Sequence, residues 1–134
     1  MKVVLDTNVF MSGIFWSGPP SDILIAWQDK RFTLVLTTDI WDEYIRVAEI
    51  LNKKYPSIEL SEILDMVAIY GKFYEAITLP NPVSEDPDDD KFLACALAAK
   101  AKVIVSGYSD LLKVSKYSGV SILKPREFIT QHLK

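Results

Sequence analysis

Apolar residues in this chain fall into short unbroken runs set between longer stretches where they recur every three or four positions. Residues 2–5 (KVVL), Phe32 to Leu36, Ala76 to Leu79, Val103 to Val105 and Val120 to Leu123 are brief, and most are β-branched-rich, which predicts buried strands. Between them the spacing predicts helices. Asn8 to Phe15 reads as a short one, stopped by Trp16-Ser17-Gly18-Pro19-Pro20. Ser21 is placed to cap a second over Asp22 to Asp29, with Ile23, Leu24 and Trp27 on one face. Thr38 or Asp39 caps a long third helix through about Lys54, striped by Ile40, Tyr44, Val47 and Leu51. Leu60 to Tyr74, Asp88 to Lys100 and Ser109 to Val114 continue the alternation, and Pro125 opens a closing helix.

Strands apolar on both faces belong in a parallel sheet covered by helices on both sides. The expected fold class is therefore α/β, a three-layer α/β/α sandwich. At 134 residues the chain reads as a single domain, 1–134, because a second core would leave each half too short. No apolar run approaches the roughly 20 residues a membrane helix needs. The opening MKVVLD places an acid at position 6, which breaks a signal-peptide core before it forms. The single cysteine, Cys95, excludes an internal disulfide and is expected to be a buried small residue. The expected location is cytoplasmic, with no membrane segment.

The net charge of −3 looks wrong for a nucleic-acid binder, but its distribution changes the picture. Glu85, Asp86, Asp88, Asp89 and Asp90 place five acids in six positions, and the rest of the chain sums to +2 without them. A mildly basic body carrying one acidic knot points to a bound cation.

In an open parallel sheet, ligands bind beyond the carboxyl ends of strands where the strand order reverses. Asp6 ends the first strand, Asp90 opens the helix before the Val103–Val105 strand, Asp110 follows that strand, and Glu43 sits early in the long helix. Taken singly, each has a structural role open to it: Asp6 and Asp110 as helix caps, Asp88 to Asp90 as complements to a helix dipole, Glu43 as a partner of Arg46. Taken together they would repel unless a cation or proton relieved them. Oxygen-only ligands favour Mg²⁺ or Mn²⁺ over zinc.

Asp6-Thr7-Asn8-Val9, Glu43, the stretch Glu85 to Ala96 (EDPDDDKFLACA) and Val105-Ser106-Gly107-Tyr108-Ser109-Asp110-Leu111-Leu112 together resemble the PIN-domain family over nearly the whole chain. More narrowly they resemble its toxin branch from toxin–antitoxin systems, related to VapC-type ribonucleases. The resemblance implies a five-stranded parallel sheet in the order 3-2-1-4-5 and metal-dependent endonucleolytic cleavage of RNA with Mg²⁺ or Mn²⁺. By position it implies that Asp6, Glu43, Asp90 and Asp110 are catalytic and hold the metal, with Asn8 and Ser106 supporting. It also implies a homodimer and a cognate antitoxin protein. Tyr108 stands where the family usually has an acid; a neutral phenol is a poor ligand for such an ion. A weakened or inactive PIN domain, acting as an RNA-binding or protein-interaction module, is the alternative this position leaves open.

Lys91, Lys113 and Lys116 lie close to the acids in sequence and are candidates to hold RNA phosphates, and Trp16 is a candidate to stack on a base. Trp27 and Trp41 are expected in the core and His132 at the surface. A phospho-acceptor receiver would need an aspartate after the third strand, where Pro80-Asn81-Pro82 stands. No glycine-rich turn follows the first strand, which argues against a dinucleotide-binding fold.

Overall fold

A computed structural model describes residues 1–134. The chain runs β1 (Lys2–Leu5), α1 (Thr7–Phe15), α2 (Pro19–Gln28), β2 (Thr33–Leu36), α3 (Thr38–Lys54), α4 (Ser61–Tyr70) and β3 (Lys72–Phe73). One 3-10 turn (Pro87–Asp89) then leads into α5 (Asp90–Ala99), followed by β4 (Val103–Val105), α6 (Ser109–Val114), β5 (Lys116–Tyr117), β6 (Val120–Leu123) and α7 (Pro125–Phe128). The sheet order is β3-β2-β1-β4-β6-β5, parallel throughout except for the β5–β6 pair.

Five parallel strands thus stand in the expected order, and the sixth is a correction. Ser118 and Gly119 both take positive φ, 48° and 84°, the geometry of the tight two-residue turns that join antiparallel strands. That turn folds Lys116–Tyr117 back onto Val120–Ser121 as an edge ribbon.

Two other expectations shift for local reasons. Residues 76–79 are not a strand; α4 stops at Tyr70, Gly71 turns extended, and Lys72–Phe73 pair with Val35–Leu36 instead. Ser21 is not a helix cap, because Pro19 and Pro20 occupy the first turn of α2, where a missing N–H costs nothing. The cap of α3 is Thr37, whose hydroxyl accepts from the Ile40 amide at 3.4 Å.

The core lies between the sheet and the helices on its two faces. Val3, Val4, Leu5, Leu34, Val35, Leu36, Ile104 and Val105 are fully buried, which is what continuous apolar strands require. Phe10 of α1 stacks on Tyr44 of α3 at 4.2 Å, and the Tyr44 hydroxyl donates to the Leu5 carbonyl at 2.6 Å. These contacts pin α3 to the end of β1 and so carry Glu43, the preceding residue, to that edge. Trp27 and Cys95 are buried as expected, while Trp41 is only partly covered, edge-on to Phe73. His132 is exposed. No helix is long and apolar enough to cross a membrane.

Candidate metal centre

From β1 the chain crosses to β2 on one side, while β4 pairs on the other. The carboxyl ends of β1 and β4 therefore form the switch point of the sheet. Asp6 is the first residue beyond β1, and its amide still donates to Val105 at 3.0 Å. Its side chain is fully buried. Oδ1 accepts from the Val9 amide at 2.7 Å, capping α1, and Oδ2 accepts from the Ser106 hydroxyl and from the Gly107 amide at 2.9 Å. Burial pushes the Asp6 pKa up to about 6, against the pull of these donors. A Cβ at Gly107 would meet the Asn8 side-chain amide nitrogen at 2.6 Å, so any larger residue there would push the Asn8 side chain aside. Asn8 thus closes over the β4 loop, and Ser106 also accepts from the Tyr108 amide at 2.9 Å.

A cleft of about 510 Å³ opens here, lined by Glu43, Asp86, Asp88, Asp89, Gly107, Tyr108, Ser109 and Asp110. Within it, one carboxylate oxygen each from Asp86, Asp89 and Asp110 lies within 4.8 Å of the others. Asp86 and Asp89 meet because the Pro87–Asp89 segment is a 3-10 turn, in which residues three apart eclipse. Asp89 is buried while Asp86 is exposed. Burial first, and then the charges of Asp86, Asp110 and Asp6, raise the Asp89 pKa to about 6.

The structure gives Asp90 other partners than those expected. Its two oxygens accept from the amides of Val83 and Ser84 at 3.0 and 2.8 Å, so it braces the loop before the 3-10 turn. Asp89, one residue earlier, is the member of this acidic run that converges with Asp86 and Asp110. Asp86 and Asp89 were read in the sequence as part of the acidic run but not singled out as ligands. Their i, i+3 spacing around Pro87 was the available signal.

Glu43 lines the same cleft, but its carboxylate is engaged: Lys91 Nζ lies 2.5 Å from Oε1, and Thr7 donates its hydroxyl to Oε2. Lys91, expected among phosphate ligands, is therefore committed to Glu43. Lys113 stands at the mouth, 3.5 Å from Glu85 and 4.0 Å from Asp110. Lys116 lies on the edge ribbon. Trp16 is not brought to the cleft, because α1 carries the chain roughly 14 Å away from Asp6 at 1.5 Å per residue. There it packs on Phe15 and Tyr55. Tyr108 does line the cleft, its ring 6.3 Å from that of Phe92, and burial drives its phenol pKa well upward, keeping it neutral.

The donor set fits a hard divalent cation. It is all carboxylate oxygen, burial and then the neighbouring acids make Asp89 resist ionising, and a bound positive charge would favour its ionised form.

Fold and site together define an α/β protein with acids gathered at the switch point of a parallel sheet. The PIN domain family model matches residues 2–108, and the chain belongs to that family, whose members are generally metal-dependent nucleases. Asp110 lies just beyond the matched residues. The chain is also similar to an uncharacterized protein of Methanocaldococcus jannaschii, with 29% identity over 147 aligned positions spanning 100% of this chain and 93% of that protein.

Proposed function

We propose that this chain is a Mg²⁺- or Mn²⁺-dependent endoribonuclease and the toxin component of a toxin–antitoxin pair. The observation that carries the nuclease reading is the meeting of Asp86, Asp89 and Asp110 at the switch point, with Asp6 behind them and Glu43 beside them. Asp86, Asp89 and Asp110 would hold the divalent ion, which would supply positive charge for the attacked phosphate and make a nearby water more acidic.

The chain's own residues do the rest. Asp6 holds the β4 loop through Ser106 and Gly107 and adds negative charge behind the cluster. Glu43 lines the cleft from α3 with its carboxylate held by Lys91 and Thr7, which fixes that wall of the site. Lys113, at the rim and largely exposed, is placed to hold a flanking phosphate. Lys116 and Trp16 could only extend the RNA footprint beyond the cleft.

A purely binding or assembly role is not favoured, because the three acids converge without an acid at position 108. Ile69, Tyr70 and Phe73, exposed in close succession at the α4–β3 junction, support a homodimer face. The antitoxin follows from the motif resemblance.

Labelled RNA incubated with Mn²⁺, Mg²⁺ or EDTA tests the nuclease reading. Cleavage should require the metal and disappear in Asp89→Asn. Metal-independent cleavage, or full activity in that variant, overturns it. Growth arrest on expression, relieved by the product of a neighbouring reading frame, tests the toxin role.

A further inference from the structure

Glu43 is the one acid of the cleft joined to an ammonium at 2.5 Å. Lys91 reaches it from α5, across 48 positions of sequence, while Thr7 occupies its other oxygen. The Lys91 and Glu43 side chains are only 21% and 16% exposed, so water and salt screen the pair weakly. Arg46, at 3.8 Å and 64% exposed, adds little. Glu43 lines the same cleft as Asp86, Asp89 and Asp110, so the ion pair stands beside the three-acid cluster.

A second divalent ion in this cleft would need free carboxylate oxygens beyond Asp86, Asp89 and Asp110. Tyr108 is neutral and Glu43 is already neutralised. Asp88, exposed on the 3-10 turn, is not part of the converging group.

We propose that Lys91 acts as a resident counter-cation on Glu43, filling the place of a second divalent ion, so that the cleft loads one. This rests on the metal-nuclease reading above. Lys91 is in these terms a positioning residue. It fixes the Glu43 carboxylate and sets the number of ions through charge, without touching substrate.

Counting Mn²⁺ on the full chain by isothermal titration, with electron paramagnetic resonance of the free ion as a cross-check, tests the assignment. Wild type should load one Mn²⁺. Lys91→Met should load two, Lys91→Arg one, and the double variant Lys91→Met/Glu43→Gln one. Two ions on wild type, or a Lys91→Met variant that loads one with unchanged affinity, would overturn the proposal while leaving the nuclease reading intact. No Mn²⁺ on wild type would defeat both. Should Lys91→Met fail to fold, Lys91→Gln takes its place with the same expectation of two ions, and a folded Lys91→Gln that loads one with unchanged affinity overturns the proposal equally.

Discussion

Ser106 donates its hydroxyl to Asp6 across 100 positions of sequence, tying the end of β4 to the end of β1 directly beneath the cleft. The same oxygen accepts from the Tyr108 amide at 2.9 Å. Removing it leaves the Tyr108 amide short of a partner and takes one donor from a fully buried carboxylate. Ser106→Ala should therefore lose about 1–3 kcal/mol of stability, the usual cost of stranding a buried polar group. It should also raise the Asp6 pKa further. Urea denaturation at pH 7 measures the first effect, and an unchanged midpoint would show that the serine contributes nothing to the strand junction.

Asp6 and Asp89 make the protein's stability and metal binding respond to pH in opposite senses. Both carboxyls titrate near pH 6 in the folded chain, against 3.8 for an ordinary aspartate. Between those values the folded state holds more protons than the unfolded one, so metal-free stability falls as pH rises from about 4 to about 6. For Asp6, wholly buried, the loss is of order 3 kcal/mol at roughly 1.4 kcal/mol per pH unit. A divalent cation competes with those same protons. The rise in melting temperature produced by Mn²⁺ should therefore be larger at pH 7.5 than at pH 5, measured at equal free Mn²⁺. Equal rises at both values would place the ion away from these carboxyls.

That the sheet is parallel and covered on both faces was legible from its unalternating apolar runs, whereas the strand order came from the resemblance to the PIN-domain family, and the switch point followed from that order. Asp6, Glu43 and Asp110 could be placed at that edge from their positions relative to strands. The choice between Asp89 and Asp90 was not legible from the same reasoning. It depends on whether the chain enters α5 through a 3-10 or an α turn, and Pro87 and the Asp86 cap decide that locally. The Lys91–Glu43 pair depends on the mutual distance of α3 and α5, which no local pattern encodes. The edge ribbon was missed because Ser118-Gly119 is a weak turn signal until its positive φ values are seen.

Neighbouring aspartates at the start of α5 should behave differently. Asp89 belongs to the converging cluster, whereas both oxygens of Asp90 are taken by the Val83 and Ser84 amides. Asp89→Asn should weaken Mn²⁺ binding by tenfold or more, about 1.4 kcal/mol or above. Asp90→Asn keeps one accepting oxygen but turns an NH₂ toward a donor, so it should lower the melting temperature and change Mn²⁺ affinity less. Calorimetric titration beside thermal melts separates the two. A larger affinity loss in Asp90→Asn would return that residue to the metal.

Tyr108 is the position where this chain departs most from the acidic pattern its motifs resemble. Its ring covers part of the cleft and approaches Phe92 at 6.3 Å, and its phenol stays neutral because it is half-buried among carboxylates. Tyr108→Asp would exchange that packing for a further negative charge facing Glu43, Asp86, Asp89 and Asp110. Two consequences follow from the same substitution, with opposite signs. Without metal the variant should melt lower, since it loses aromatic burial and gains like-charge repulsion. With Mn²⁺ it should bind several-fold more tightly and cleave RNA faster, because the added carboxylate serves the cation. Tyr108→Phe is the control. It keeps the ring and adds no charge, so its Mn²⁺ affinity should match wild type. If Tyr108→Asp melts lower but binds Mn²⁺ no better, position 108 serves the packing of the cleft wall and has no bearing on the ion.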